Sequence, residues 1–231
     1  METLVPPLVP LPISAGMRAL SLIAPSVRSV MSQIGPFTAW WDAHNRESAL
    51  MDGPLLVAIG DSTAIGIGAD EPGQSYVGNL VARLRHHDQQ PWRVINLALS
   101  GAKIRDALDR QIPVLNTLDA DRVVCCIGSN DVVWGRVGSE SSMLGPELSE
   151  LVHALPLSTL MATVAGRSSR ARFANETLAN ELETLGTEPV DVWSVPGPAI
   201  RERIAIDRFH PNAIGYDLMA RAFAERLSIP T

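Results

Sequence analysis

"LLVAIGDSTAIGIG" occupies residues 55–68 and joins an apolar run to a glycine-bearing turn. The apolar run Leu55 to Ile59 reads as a buried strand, and it stops at Gly60-Asp61-Ser62. Gly, Asp and Ser are ordinary turn residues, and Asp or Ser can cap a following helix, so a plain turn is one reading. The other is a nucleophilic serine at the carboxyl end of a strand, the edge where open α/β sheets hold their ligands. What the rest of the chain sets beside this turn decides between them.

Downstream, Tyr76, Val77, Leu80, Val81 and Leu84 recur at helical spacing and predict a helix over about 74–86. "WRVINLAL" (92–99) reads as a second buried strand. "RVVCCIG" (122–128) reads as a third, continuously apolar as parallel strands tend to be. Between them "AKIRDALDRQIPVL" is helical with an interruption at Pro113. A polar loop is expected over about 131–145, then a short helix to His153. "STLMATVA" (158–165) fits a fourth strand, although its pattern also suits a helix. A helix over 170–185 runs along Phe173, Leu178, Leu182 and Leu185 and stops at Gly186. "VDVWSV" (190–195) is a fifth strand, and a last helix runs from Pro211 to Leu227. This alternation implies a parallel sheet with helices on both faces.

With 231 residues the chain suits one ordinary domain plus an appendage. A hydrophobic content of 46% supplies a substantial core. The net charge of −6 argues against a nucleic-acid binder, whose footprint is basic. Cys125 and Cys126 are neighbours on a strand and point to opposite faces, so they read as small buried residues rather than a disulfide. No run of eighteen purely apolar residues spans a membrane, and Glu2 with no basic residue before Arg18 makes a poor secretory signal. Cytoplasm is the default location.

Residues 1–53 form the appendage and 54–231 the main domain. The first sixteen residues are proline-rich and read as extended. From Met17 to Ile34 an apolar stripe turns helical, with Pro25 kinking or restarting the helix, and Phe37, Trp40 and Trp41 follow as an aromatic cluster. The favoured reading packs this helix on the main domain. The alternative lays residues 17–41 on a membrane surface, although only Arg18 and Arg28 are there to draw the helix to anionic lipid.

The first three strands each end in a small, polar, glycine-bearing turn: Gly60-Asp61-Ser62, Ser100-Gly101 and Gly128-Ser129-Asn130-Asp131. Parallel strands bring all three turns to one sheet edge. A serine nucleophile needs a base. Of the five histidines, His44, His86, His87 and His153 read as solvated or packed, whereas His210 stands in "DRFHPNAIGY" three residues after Asp207. In a tight turn that spacing lets the carboxylate hold one imidazole nitrogen and leaves the other free to take the serine proton. A helix cap with a nearby acid is the plainer reading of the same residues.

Gly60-Asp61-Ser62, Gly101, Gly128-Ser129-Asn130-Asp131 and Asp207-Arg208-Phe209-His210-Pro211 resemble, in order and separation, the four blocks of the GDSL, or SGNH, hydrolases. "NLALSG" and "FHPNAIGY" extend the resemblance, which covers about 54–228. It implies a serine esterase with no cofactor and no metal, acting on a small-molecule ester through an acyl-enzyme. Ser62 would be the nucleophile, His210 the base and then the acid, and Asp207 its orienter. The N–H groups of Ser62 and Gly101 with the Asn130 amide would form the oxyanion hole. Asp61 would hold the loop without doing chemistry. Thr63 departs from the Leu that often follows the serine, and the appendage is not required by the family core. Alternation and resemblance together imply a flavodoxin-like three-layer α/β/α sandwich on a parallel five-stranded sheet.

The loop after Asn130 would line the substrate pocket, with Val132, Val133, Trp134 and Met143 as apolar wall and Arg136 as an anion contact. Sugar O-acetyl esterase, thioesterase and lysophospholipase activities stay open as alternatives, as does a non-catalytic binding protein on the same fold. An α/β-hydrolase elbow, G-x-S-x-G, fails because Ala64 stands in the fifth position, and no phosphate-binding glycine motif is present. No two histidines share a motif with acids at metal-ligand spacing. The oligomeric state is left open.

Overall fold

The computed structural model describes residues 5–12, 21–134 and 143–229. The apolar run after Pro54 forms β1 (Leu55–Gly60), buried along its whole length. It pairs in parallel with β2 (Arg93–Asn96) on one side and β3 (Arg122–Cys126) on the other, so that Val57 lies opposite both Ile95 and Val123. A short β4 (Leu160–Met161) continues the sheet beyond β3, in the order β2-β1-β3-β4. Successive side chains of a strand go to opposite faces. Leu56, Ala58, Val94, Val124 and Cys126 accordingly enter one core, and Leu55, Val57, Ile59, Ile95, Val123 and Cys125 enter the other. Both faces are covered, which is why these strands are continuously apolar rather than alternating. The two cysteines are free and buried on opposite faces, and burial pushes both thiols up.

One face is covered by α1 (Pro25–Met31), α2 (Ile34–Ser48) and two further helices, α4 (Tyr76–Asp88) and α9 (Ala213–Arg226). Tyr76 stacks on Phe223 with ring centroids 5.3 Å apart. The other face carries α5 (104–115), α7 (Leu144–Ala154) and α8 (Ser169–Thr184). Within α5 a π-helical turn, Ala107–Gln111, precedes Pro113. Two short helices, α3 (Ser62–Ile65) and α6 (Ser129–Trp134), follow β1 and β3 directly. α6 begins where only a loop was expected. The layers form the flavodoxin-like α/β/α sandwich that the alternation and the resemblance together imply.

Among the described residues the sheet has four strands, not five. The expected strand 190–195 is reduced to a single parallel bridge between Ala162 and Val190. Asp191 is the physical reason: its Oδ1 accepts the N–H groups of Trp193 and Ser194, both at 3.1 Å. A side chain that captures the next backbone donors competes with the ladder and turns the chain. Pro196 and Pro198 follow and have no N–H to offer.

In the N-terminal region Phe37 and Trp41 are buried in the same core as β1, while Trp40 stays 40% exposed and stacks on His44. A fully buried Trp removes on the order of 200 Å² from water, an upper limit of about 5 kcal/mol. No helix among the described residues is long and apolar enough to cross a membrane.

Candidate active site

At the end of β1 the chain must pass very close to β3. A Cβ on Gly60 would lie 2.8 Å from the Cys126 carbonyl oxygen and 2.9 Å from the Ala64 Cβ, so no larger residue fits. The glycine thus supplies space, more than freedom to turn. Its N–H donates to Gln111 Oε1 and its carbonyl accepts from Gln111 Nε2, both at 2.9 Å. Gln111 sits on the π-helical turn of α5, and such turns recur at functional sites. Asp61 then caps α3: its Oδ1 accepts from the Thr63 N–H at 2.9 Å. Ser62 is therefore the first residue of α3, with an N–H that has no carbonyl to pair with inside its own helix.

The partner of Ser62 comes from the opposite end of the chain. Ile204 and Pro211 form an antiparallel bridge, and between them Arg208 turns the chain with left-handed backbone, φ 60°. Such a conformation costs a non-glycine residue energy and is found where the surroundings enforce it. Here the Asp207 carboxylate does so. Its Oδ1 accepts the N–H groups of Phe209 and His210 at 3.0 and 3.1 Å, and its Oδ2 lies 2.6 Å from His210 Nδ1. Burial works against the charge of Asp207, but the bond and charge of His210, with the two N–H groups, hold the carboxyl below its ordinary value. An ionised carboxylate only accepts, so Nδ1 carries the proton and Nε2 offers a lone pair. That lone pair faces Ser62 Oγ at 2.9 Å. Pro211 precedes α9 rather than opening it; Asn212 caps the helix by accepting from the Gly215 N–H at 3.1 Å.

The third turn closes the edge. Asn130, on α6, is buried and its Nδ2 donates to the Ala102 carbonyl at 3.0 Å and to Asp61 Oδ2 at 3.3 Å. Its neighbour Asp131 accepts the Ile104 N–H at 3.1 Å. Burial pushes the Asp131 carboxyl up to about 7 and raises that of Asp61 as well. The two carboxylates lace together the turns after β1, β2 and β3. Gly101, exposed with φ 83°, lies in the second of these turns, which the Leu99 N–H ties to the Gly60 carbonyl at 3.2 Å.

The proposed pocket residues fare differently. Val132 is half-buried and packs against the core under α5 and α7, while Val133 and Met143 are exposed. Arg136 and the side chain of Trp134 lie outside the described residues. Among the described residues no group of three His, Cys, Asp or Glu side chains is placed to hold a metal ion. Sequence reading missed Gln111, which is a lone amide in a helical run and gives no local signal.

A strand-end serine in contact with a histidine–carboxylate turn, beneath a three-layer parallel α/β fold, defines an SGNH-type hydrolase architecture. Comparison with known proteins agrees. Residues 58–218 match the GDSL-like Lipase/Acylhydrolase family. The chain belongs to that family and is a carboxylic ester hydrolase. Among solved structures it is similar to a lipase/acylhydrolase from Enterococcus faecalis (20% identity, 75% of this chain and 95% of that one, TM-score 0.64). It is similar also to Axe2, an acetylxylan esterase from Geobacillus stearothermophilus (21% identity, 78% and 96%, TM-score 0.60). A third is the psychrotrophic esterase EstA from Pseudoalteromonas sp. (16% identity, 75% and 96%, TM-score 0.59). No curated protein matches the chain by sequence.

Proposed function

We propose that the protein hydrolyses small-molecule carboxylic esters through an acyl-enzyme on Ser62. The observation that carries this reading is the chain of contacts from Ser62 Oγ to His210 Nε2 at 2.9 Å and from His210 Nδ1 to Asp207 Oδ2 at 2.6 Å. Ser62 Oγ attacks the ester carbonyl carbon while His210 Nε2 takes its proton. The carbonyl oxygen becomes an oxyanion, received by the N–H groups of Ser62 and Gly101 and by the Asn130 amide. When the carbonyl re-forms, the C–O bond to the leaving alcohol breaks and His210 returns the proton to that oxygen. A water then attacks the acyl carbon by the same route and releases the acid and the free serine. Asp207 keeps His210 in the required tautomer and stabilises its cation.

A fluorophosphonate probe tests this directly. Labelling at Ser62, lost in Ser62→Ala together with hydrolysis of p-nitrophenyl acetate, supports it; an unlabelled, inactive wild-type protein overturns it. An acyl-chain series of aryl esters, run beside a lysophospholipid and an acetylated sugar, then sets the substrate class.

A further inference from the structure

The residues before the family match touch the backbone of the nucleophile loop at several points. Gln33, between α1 and α2, donates from Nε2 to the Ala69 carbonyl and accepts the Gly68 N–H on Oε1, both at 2.8 Å. Trp41 Nε1 donates to the Ile65 carbonyl at 2.9 Å. Asn45 pairs with both backbone groups of Asn96, at 2.9 and 2.8 Å, and Asn96 Nδ2 passes the contact on to the Ala64 carbonyl at 2.9 Å. Three side chains of the N-terminal segment thus hold the strip 64–69, directly or through Asn96, immediately after Ser62.

The far side of that strip presses on the base. A Cβ on Gly68 would lie 2.4 Å from the Pro211 carbonyl oxygen, 2.9 Å from the His210 Cβ and 3.0 Å from the Ala205 Cβ. Gly68 is therefore in close contact with the turn that carries His210. The same strip receives the Tyr216 hydroxyl, which donates to the Ile67 carbonyl at 2.6 Å from the first turns of α9. Loop 66–69 is clamped between Gln33 on one side and His210–Pro211 on the other.

We propose that Gln33 is a positioning residue. Through Gly68 and Ala69 it sets the separation of His210 from Ser62, which makes the N-terminal segment part of the catalytic apparatus rather than a separate appendage. The proposal rests on the hydrolase reading above. The reasoning is geometric: backbone N–H and C=O groups held by a bidentate amide cannot shift independently, and a misplacement of about 1 Å at a reacting group costs up to ~100-fold in rate.

The test compares Gln33→Ala and the near-isosteric Gln33→Met with wild type. Arg28→Ala serves as a control in the same segment, since the Arg28 side chain bonds the Ser21 and Leu22 carbonyls of that segment. Two readouts are used: steady-state hydrolysis of p-nitrophenyl acetate, and the NMR signals of the His210 ring, which need no substrate. The expected result for both Gln33 variants is a kcat lower by about 10- to 100-fold, KM within about twofold and displaced His210 signals. Arg28→Ala should match wild type in both readouts. Gln33 variants with wild-type kcat and undisturbed His210 signals overturn the proposal, whatever happens to the melting temperature. A wild-type protein that hydrolyses no ester, with His210 signals that still respond to Gln33, overturns the hydrolase reading and leaves the positioning role standing.

Discussion

The turn that carries Ser62 and the turn that carries His210 meet across one 2.9 Å hydrogen bond, and each contains an aspartate. In the first turn Asp61 is only 2% exposed, and burial raises its carboxyl in spite of the bond from Thr63. In the second, the Asp207 side chain is only 5% exposed as well, but His210 with two N–H groups overcomes burial and lowers its carboxyl. Asp131, under the third turn, behaves like Asp61 and is pushed up to about 7. The difference separates two jobs. A buried carboxyl with no imidazole bonded to it works as a hydrogen-bond acceptor that ties loops together. A buried carboxyl paired with an imidazole is held toward its charged form, and in the proposed mechanism that charge stabilises a cationic His210.

The largest effect is expected from removing the atom where the two turns meet. Ser62→Ala should lower turnover by about 10⁶-fold and leave the melting temperature within a few degrees of wild type. Activity measured on the purified, folded variant checks both halves.

Changing the charged side comes next. Asp207→Asn should lower kcat by about 10⁴-fold. The amide can go on accepting the Phe209 and His210 N–H groups, but its NH₂ faces the ring and favours the wrong tautomer. A loss of only a few-fold would show that Asp207 acts mainly as a turn former.

On the interior side, Asn130→Ala should lower kcat by about 10²- to 10³-fold with a smaller change in KM, as expected of the proposed oxyanion contact, which an amide makes mainly in the transition state. A change confined to KM would make Asn130 a substrate-binding residue instead.

The gentlest test concerns pH. The folded-state value of Asp131, about 7, lies above its unfolded value near 3.8, so the folded protein holds a proton that the unfolded chain has lost between those limits. The stabilising contribution is full below about pH 4 and is lost as pH rises to about 7. Asp207, with its value lowered, works in the opposite sense and is lost as pH falls. Asp131→Asn should therefore gain in melting temperature relative to wild type between pH 5 and pH 8. Parallel melting curves across that range check it, and a pH-independent difference would mean that Asp131 is not protonated in the fold.

The layers and the candidate residues are already legible in the local pattern of the chain. Leu55 to Ile59 and Arg122 to Cys126 read correctly as buried parallel strands because both of their faces meet helices, and a continuous apolar run is the local imprint of that. Ser62, Asn130, Asp207 and His210 were legible as candidates because turn chemistry needs particular residue types at short, fixed spacings. Features that depend on distant partners take shape only when the chain folds. "VDVWSV" has the pattern of a strand, but Asp191 takes its N–H groups and leaves one bridge at Val190. Gln111, Asn45 and Gln33 hold backbone groups 51, 51 and 35 residues away, and nothing in their own neighbourhoods marks them. A lone amide in a helix or turn looks the same in sequence whether it faces water or grips a loop, because its bidentate bond exists only once folding has brought an N–H and a C=O within reach.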